Sequence, residues 1–264
     1  NNTHTPLAEV REVEADTSAN GKRLTHSWKR LINAGYAKDL LNSQMQQQVM
    51  RLENSVGFEY IRCKGILDDD MILYSRDYLG NYSMNYVYVD EVVDFILSEG
   101  AKPFLELSHM PSILSRQQKR ILRRPTFISA PTDLTLWQEL IKALMSHLVQ
   151  RYGIQQMKQW LFAPWTTPDF SDCELFTLEE YMDTYSTAYK GIKESCVDFR
   201  VCGPGSTVHS REKIGWFLDR CQEKDCMPDI LSFHSFAAIQ PDEERDAMKL
   251  EECSSAFYVA VSGD

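Results

Sequence analysis

From residue 24 onward, short apolar runs alternate with stretches whose apolar residues recur every three or four positions. The runs over 24–32, 58–64, 103–107, 160–165, 199–203 and 229–234 predict strands. Helices are expected between them. Met45, Val49 and Leu52 form one stripe. Val89, Val93 and Ile96 form a second, with Gly100 as its stop. Leu136, Leu140, Leu144 and Leu148 form a third; Thr135 and Gln138 could cap its start, and Gly153 closes it. Thr177 and Glu180 have capping-box spacing before a helix that runs towards Cys196. Ile214, Phe217, Leu218 and Cys221 mark one more. Residues 1–20 are polar and show no period, so they read as an arm.

Strands that alternate with helices predict a parallel sheet with helices outside. No G-x-G-x-x-G and no P-loop follows any strand, which removes the best support for a nucleotide-binding doubly wound fold. The expected class is α/β, a TIM-type (β/α) barrel. A full barrel needs eight strands over ~250 residues. Six runs are clear, and 257–261 could be a seventh strand or the start of a helix. The barrel domain is therefore expected over 21–264, incomplete and cut before strand seven.

Composition sharpens this picture in three ways. At 264 residues, with 43% hydrophobic and 25% charged positions, the chain can bury a large core and is not disordered in bulk. A net charge of −10 makes it a poor partner for a phosphate backbone, which calls for clustered Lys and Arg. No apolar run reaches the ~18 residues of a membrane helix. Seven cysteines at irregular spacing, with no C-x-x-C, read as reduced and mostly buried thiols of a cytoplasmic protein.

In a barrel, chemistry sits at the C-terminal ends of the strands. That rule selects Trp28 and Lys29, Arg62 and Lys64, Glu106 with Ser108 and His109, Trp165 to Asp169, Gly203 to Ser206, and His234 to Phe236. Aromatic rings mixed with hydrogen-bonding groups suit a sugar. Each residue also has a plainer reading. Arg62 is either an internal partner of Glu106 or a ligand contact, and Glu106 is a structural or ligand hydrogen-bonding group. Lys64 is a ligand contact or a solvated strand end. His109 is loop structure or a ligand contact. Trp165 and His234 are core or ligand-facing. The run Asp68–Asp70 reads as a solvated loop; without EF-hand spacing, no metal and no cofactor is expected.

Five segments in order resemble glycoside hydrolase family 39, the family of β-xylosidases and α-iduronidases on a (β/α) barrel. They are FEYIRCKGILDDDM (58–71), KPFLELSHMP (102–111), WLFAPWTTPDF (160–170), VCGPGS (201–206) and ILSFHSF (230–236). The likeness covers roughly residues 24–240. It implies an acid/base Glu at the position of Thr167, an Asn at Thr166, a His at Lys64 and a nucleophile in a T-E-W-like motif that does not occur before Asp264. A threonine hydroxyl cannot shuttle a proton near neutral pH, and retaining hydrolysis needs two carboxyl groups.

The stretch over 24–41 and the Gln-rich segment after it are similar to the family-39-like domain of AraC-type transcription regulators. This likeness implies a non-catalytic module that senses a sugar or mediates assembly, with no catalytic residue. Arg62, Lys64, Glu106, His109, Trp165, Thr167 and His234 would be its ligand-binding set. The implied partners are a mono- or oligosaccharide effector and a second copy of the chain. DNA would be reached only through a separate helix-turn-helix region, with no membrane involved. The alternatives are an active family 39 glycosidase and a purely structural interaction domain.

Overall fold

The computed structural model describes residues 18, 24–117, 127–165, 177–207, 211–234 and 260–261. Strands β1 (Leu31–Tyr36) and β2 (Tyr60–Lys64) open the sheet; a short antiparallel hairpin, β3 (Tyr74–Arg76) and β4 (Tyr82–Met84), stands apart from it. Next come β5 (Lys102–Glu106), β6 (Leu161–Ala163), β7 (Arg200–Thr207) and β8 (Ile230–His234). Strands β1, β2, β5, β6, β7 and β8 pair in that order, every pair parallel. A two-residue β9 (Ala260–Val261) pairs antiparallel with β8, so it does not continue the barrel pattern.

Between the strands lie α1 (Ser43–Ser55), α2 (Val87–Ser98), α3 (Leu134–Tyr152), the single turn α4 (Ile154–Met157), α5 (Leu178–Ser195) and α6 (Arg211–Glu223). The side-chain alternation of a strand sorts the sheet into two faces. Ile61, Cys63, Leu105, Phe162 and Val201 point outward into one large core with the helices. Leu31, Tyr60, Phe104, Leu161, Ala163, Cys202 and Ile230 form a second cluster, with at least one residue from each of the six parallel strands. This second set is the inner wall of a barrel. Six parallel strands with a separate inner layer make the chain an α/β protein of TIM-barrel type, its barrel not closed among the described residues.

Five of the six expected strands lie where the apolar runs place them. The first run, over 24–32, is shifted. Ser27–Arg30 is a 3₁₀ turn, Leu24 and Trp28 are 62% and 48% exposed, and the strand begins at Leu31. Trp28 and Lys29 therefore precede β1 and are not at the barrel mouth. On α1, Val49 is buried but Leu52 is 42% exposed, so the expected stripe is narrower than its apolar letters suggest. Helix α3 is capped by Asp133, which accepts from the N–H groups of Thr135 (2.7 Å) and Leu136 (3.2 Å); the expected Thr135–Gln138 box lies two residues too late. The Thr177–Glu180 box is made in both directions. The 1–20 arm, apart from Ser18, lies outside the described residues.

One ammonium ties three elements together at the N-terminal side of the sheet. Lys193 Nζ on α5 donates to the carbonyls of Val197 (2.9 Å) and Phe199 (2.7 Å) and to both Asp229 oxygens (2.8 and 3.0 Å). Asp229 Oδ2 also accepts from Val201 N–H (2.7 Å), so the entrances to β7 and β8 share one carboxylate.

Packing leaves no room for a side chain at Gly203 on β7. A Cβ there would lie 2.9 Å from Phe217 and from the Tyr185 ring and hydroxyl. Gly203→Ala is expected to destabilise the fold by about 1–3 kcal/mol through overpacking. Urea unfolding should show a lower midpoint with an unchanged slope; an unchanged midpoint would show that α5 and α6 can retreat freely.

Candidate active site

Inner-face residues one step further along the strands become polar. Arg62 follows Tyr60 on β2, and Glu106 follows Phe104 on β5. The pairing register sets Arg62 beside Phe104, whose ring lies 5.7 Å from the guanidinium carbon. Arg62 Nη2 donates to Glu106 Oε2 in an ion pair that is 4% and 0% exposed. Ser108 Oγ donates to the other Glu106 oxygen at 2.8 Å. Both carboxylate oxygens are therefore engaged inside the barrel. Burying two charges is repaid only when geometry and hydrogen bonds are good, and removing one partner strands the other.

Above this pair, the loop after β2 is stitched to the loop after β5. Asp68 Oδ1 accepts from the His109 backbone N–H and faces His109 Nδ1, both at 3.0 Å. Asp69 Oδ1 accepts from Ser112 N–H at 2.9 Å. A carboxylate facing Nδ1 favours a proton on that nitrogen and fixes the orientation of the ring. Gly65 makes the close approach possible. It has φ +75°, in the left-handed region, and a Cβ on it would meet Asp68 Oδ2 at 2.6 Å.

Aromatic rings complete the mouth. Tyr36 at the end of β1 lies 6.2 Å from the His109 ring, and Lys64 Nζ sits 4.8 Å from the Tyr36 ring centre. Trp165, just past β6, meets His109 edge-on at 6.3 Å and Trp137 of α3 at 6.2 Å. The ends of four neighbouring strands thus converge on His109.

The structure brings Arg62, Lys64, Glu106, His109 and Trp165 to the same end of the sheet. Their depths differ. Arg62 and Glu106 form the internal pair. Trp165 is 1% exposed, so it forms a wall behind His109 with no open ring face. Lys64 is half-buried. His234 is the last residue of β8, and Thr167 lies outside the described residues. Asp68 corrects the solvated-loop expectation: it is 4% exposed because His109 needs its acceptor. Gly65 followed three residues later by Asp68, directly after a strand, was the available signal. Tyr36 was missed because the first apolar run was placed too early.

A parallel barrel sheet with its polar side chains gathered at the C-terminal strand ends has the construction of the barrel enzymes. The chain belongs to glycosyl hydrolases family 39, whose profile matches residues 11–258. It is 32% identical over 232 residues to a β-xylosidase of Caldicellulosiruptor saccharolyticus, covering 86% of this chain and 47% of that protein. It is 27% identical over 231 residues to a β-xylosidase of Geobacillus stearothermophilus, covering 86% and 46%. The chain thus spans about half the length of the curated relatives it matches. In fold it is similar to a monomeric β-xylosidase of Caulobacter crescentus, with a TM-score of 0.72 at 24% identity over 79% of this chain and 42% of that one. A GH39 enzyme of Xanthomonas axonopodis pv. citri gives 0.73 at 21%, over 81% and 42%.

These relatives overturn the expectation of a non-catalytic sensing or assembly module in a transcription regulator, and with it the expectation that the chain is not an enzyme. That reading rested on the departures at Lys64, Thr166 and Thr167, on the lack of a T-E-W-like motif before Asp264 and on a short N-terminal likeness. The likeness to β-xylosidases runs through 86% of the chain.

The Arg62–Glu106 pair generates a double-mutant test. Glu106→Leu should cost about 3–5 kcal/mol, because it leaves a buried guanidinium without its carboxylate. Arg62→Met should cost a similar amount. The double variant should lose less than either single change, giving a coupling energy that urea unfolding can measure. Strictly additive losses would show that the two side chains do not act as a pair.

Proposed function

We propose that this chain is the barrel portion of a glycoside hydrolase that cleaves a β-linked xyloside. The observation that carries the reading is the sustained identity to two β-xylosidases over 86% of the chain. The geometry supports it. A mouth built of Tyr36, Lys64 and His109 over a braced Arg62–Glu106 floor offers hydrogen-bonding groups and ring edges to a neutral sugar. Glu106 and Asp68 are each committed to fixed partners, so they shape the floor and hold His109, and neither serves as the proton donor.

Retaining hydrolysis uses one carboxyl group as acid/base and a second as nucleophile, about 5–5.5 Å apart. Thr167 cannot fill the first role. No described residue is assigned the proton transfer; Asp169, two residues further on, carries the nearest carboxylate in sequence and lies outside the described residues. The nucleophile is assigned to none of the described residues. Five described cysteines, Cys63, Cys196, Cys202, Cys221 and Cys226, are free thiols, which supports action in a reducing compartment such as the cytoplasm. No helix among the described residues is long and apolar enough to cross a membrane.

The test is hydrolysis of an aryl β-xyloside by the full-length protein that contains this chain. Turnover above the uncatalysed rate is expected, and its absence with aryl xylosides would overturn the reading. Thr167→Ala should stay near the parent, because a threonine hydroxyl cannot shuttle the proton near neutral pH. A large loss of kcat in Thr167→Ala would return that position to the chemistry.

A further inference from the structure

Far from the barrel mouth, the last turn of α6 holds two thiols together. Asp225 adopts φ +52°, and Cys226 N–H donates to the Cys221 carbonyl at 2.9 Å. A hydrogen bond from the residue beyond a left-handed one to a carbonyl five residues back is the Schellman ending of a helix. In that motif the side chains at the two ends of the bond meet. Here both are cysteines, both are fully buried, and their side chains lie within hydrogen-bonding reach of each other. A 2.9 Å bond between the two main chains holds the Cα atoms near the roughly 4.4–6.8 Å that a disulfide spans.

The two thiols are chemically unequal. The S–H of Cys221 and the ammonium groups of Lys190 and Lys224 stabilise a thiolate on Cys226, against the cost of its burial, and draw it below the ordinary thiol value. Cys221 is held above that value by the same hydrogen bond and by burial. Cys63 and Cys202 lie in central strands, and burial pushes each thiol up to about 12. Those two are inert by position. The Cys221–Cys226 pair instead sits at a helix end, where opening is cheapest, next to Met227, which is 46% exposed.

We infer that Cys221 and Cys226 form a dithiol site that exchanges with small-molecule disulfides and closes to an intramolecular disulfide. The Cys226 thiolate attacks one sulfur of the incoming disulfide, forming a mixed disulfide and expelling a thiolate that takes up a proton. Cys221 then gives up its proton and attacks the Cys226 sulfur, expelling the second small thiol. The two protein thiols are oxidised, the incoming disulfide is reduced to two thiols, and the bond count balances. The site does not depend on the glycosidase reading, since it lies at the opposite end of the barrel from the candidate site.

The sequence supplies the assay. Trypsin cuts after Arg220, Lys224 and Arg245, so the two cysteines fall on separate peptides, 221–224 and 225–245. Reduced, folded protein is incubated with oxidised glutathione, blocked with iodoacetamide and digested without reductant. The expected product is the two peptides joined, lighter by two hydrogens than their sum and released by reductant. Cys221→Ser should stop at a glutathione adduct on Cys226. Cys226→Ser should leave Cys221 unmodified, and thermal melts should establish that both variants are folded. Two separately alkylated peptides from oxidised parent protein, or an adduct forming on Cys221 in Cys226→Ser as fast as on Cys226 in Cys221→Ser, would overturn the proposal.

Discussion

The mouth of this barrel rests on a charge pair that water does not reach. Arg62 and Glu106 occupy inner-face positions on adjacent strands, one step beyond the apolar layer of Tyr60 and Phe104. Their mutual attraction, with Ser108 on the second carboxylate oxygen, makes it possible to place polar groups there at all. It also fixes the register in which β2 and β5 deliver their loops. A one-residue slip would send every inner side chain to the helix face. Asp68 and His109 meet only because that slip has not occurred.

The loops repeat the strategy with backbone partners. Asp68 and Asp69 each accept a main-chain N–H from the loop after β5, and Gly65 supplies the turn that brings Asp68 close. His109 is thus oriented by a group from another strand, as a ring is when its tautomer matters. Trp165 backs it from the third side. Rigidity at the mouth therefore comes from neighbouring βα units gripping one another, a property no single segment carries alone.

Much of the fold was legible because a strand and a helix leave different periods. The runs at β2, β5, β6, β7 and β8 were bounded by polar or glycine-containing segments, and the stripe Val89, Val93, Ile96 is buried as read. Leu24 and Trp28 misled because apolar letters do not reveal exposure; their run precedes the strand. Leu52 misled for the same reason. Asp68 looked like one of three equivalent acids until a partner more than forty positions away claimed it. The pairing of Arg62 with Glu106 was open as one of two readings, since alternation gave the face but not the distance. Function was read less well. The departures at Lys64, Thr166 and Thr167 and the lack of a T-E-W-like motif outweighed five ordered segments in that reading, although a few motif positions carry less information than a likeness sustained across the chain.

Every parallel strand of the sheet pairs with the parallel strand that follows it in the chain, from β1 to β8. Each βα unit can therefore dock on a surface already made, without waiting for a distant segment. During synthesis, an emerging chain of this kind would offer its newest strand a ready edge at every stage, and only that leading edge would need shielding from unwanted pairing. The order of the sheet is in this sense also an order in time, and the Lys193 clamp, which joins the entrances of β7 and β8, can form only once both have arrived.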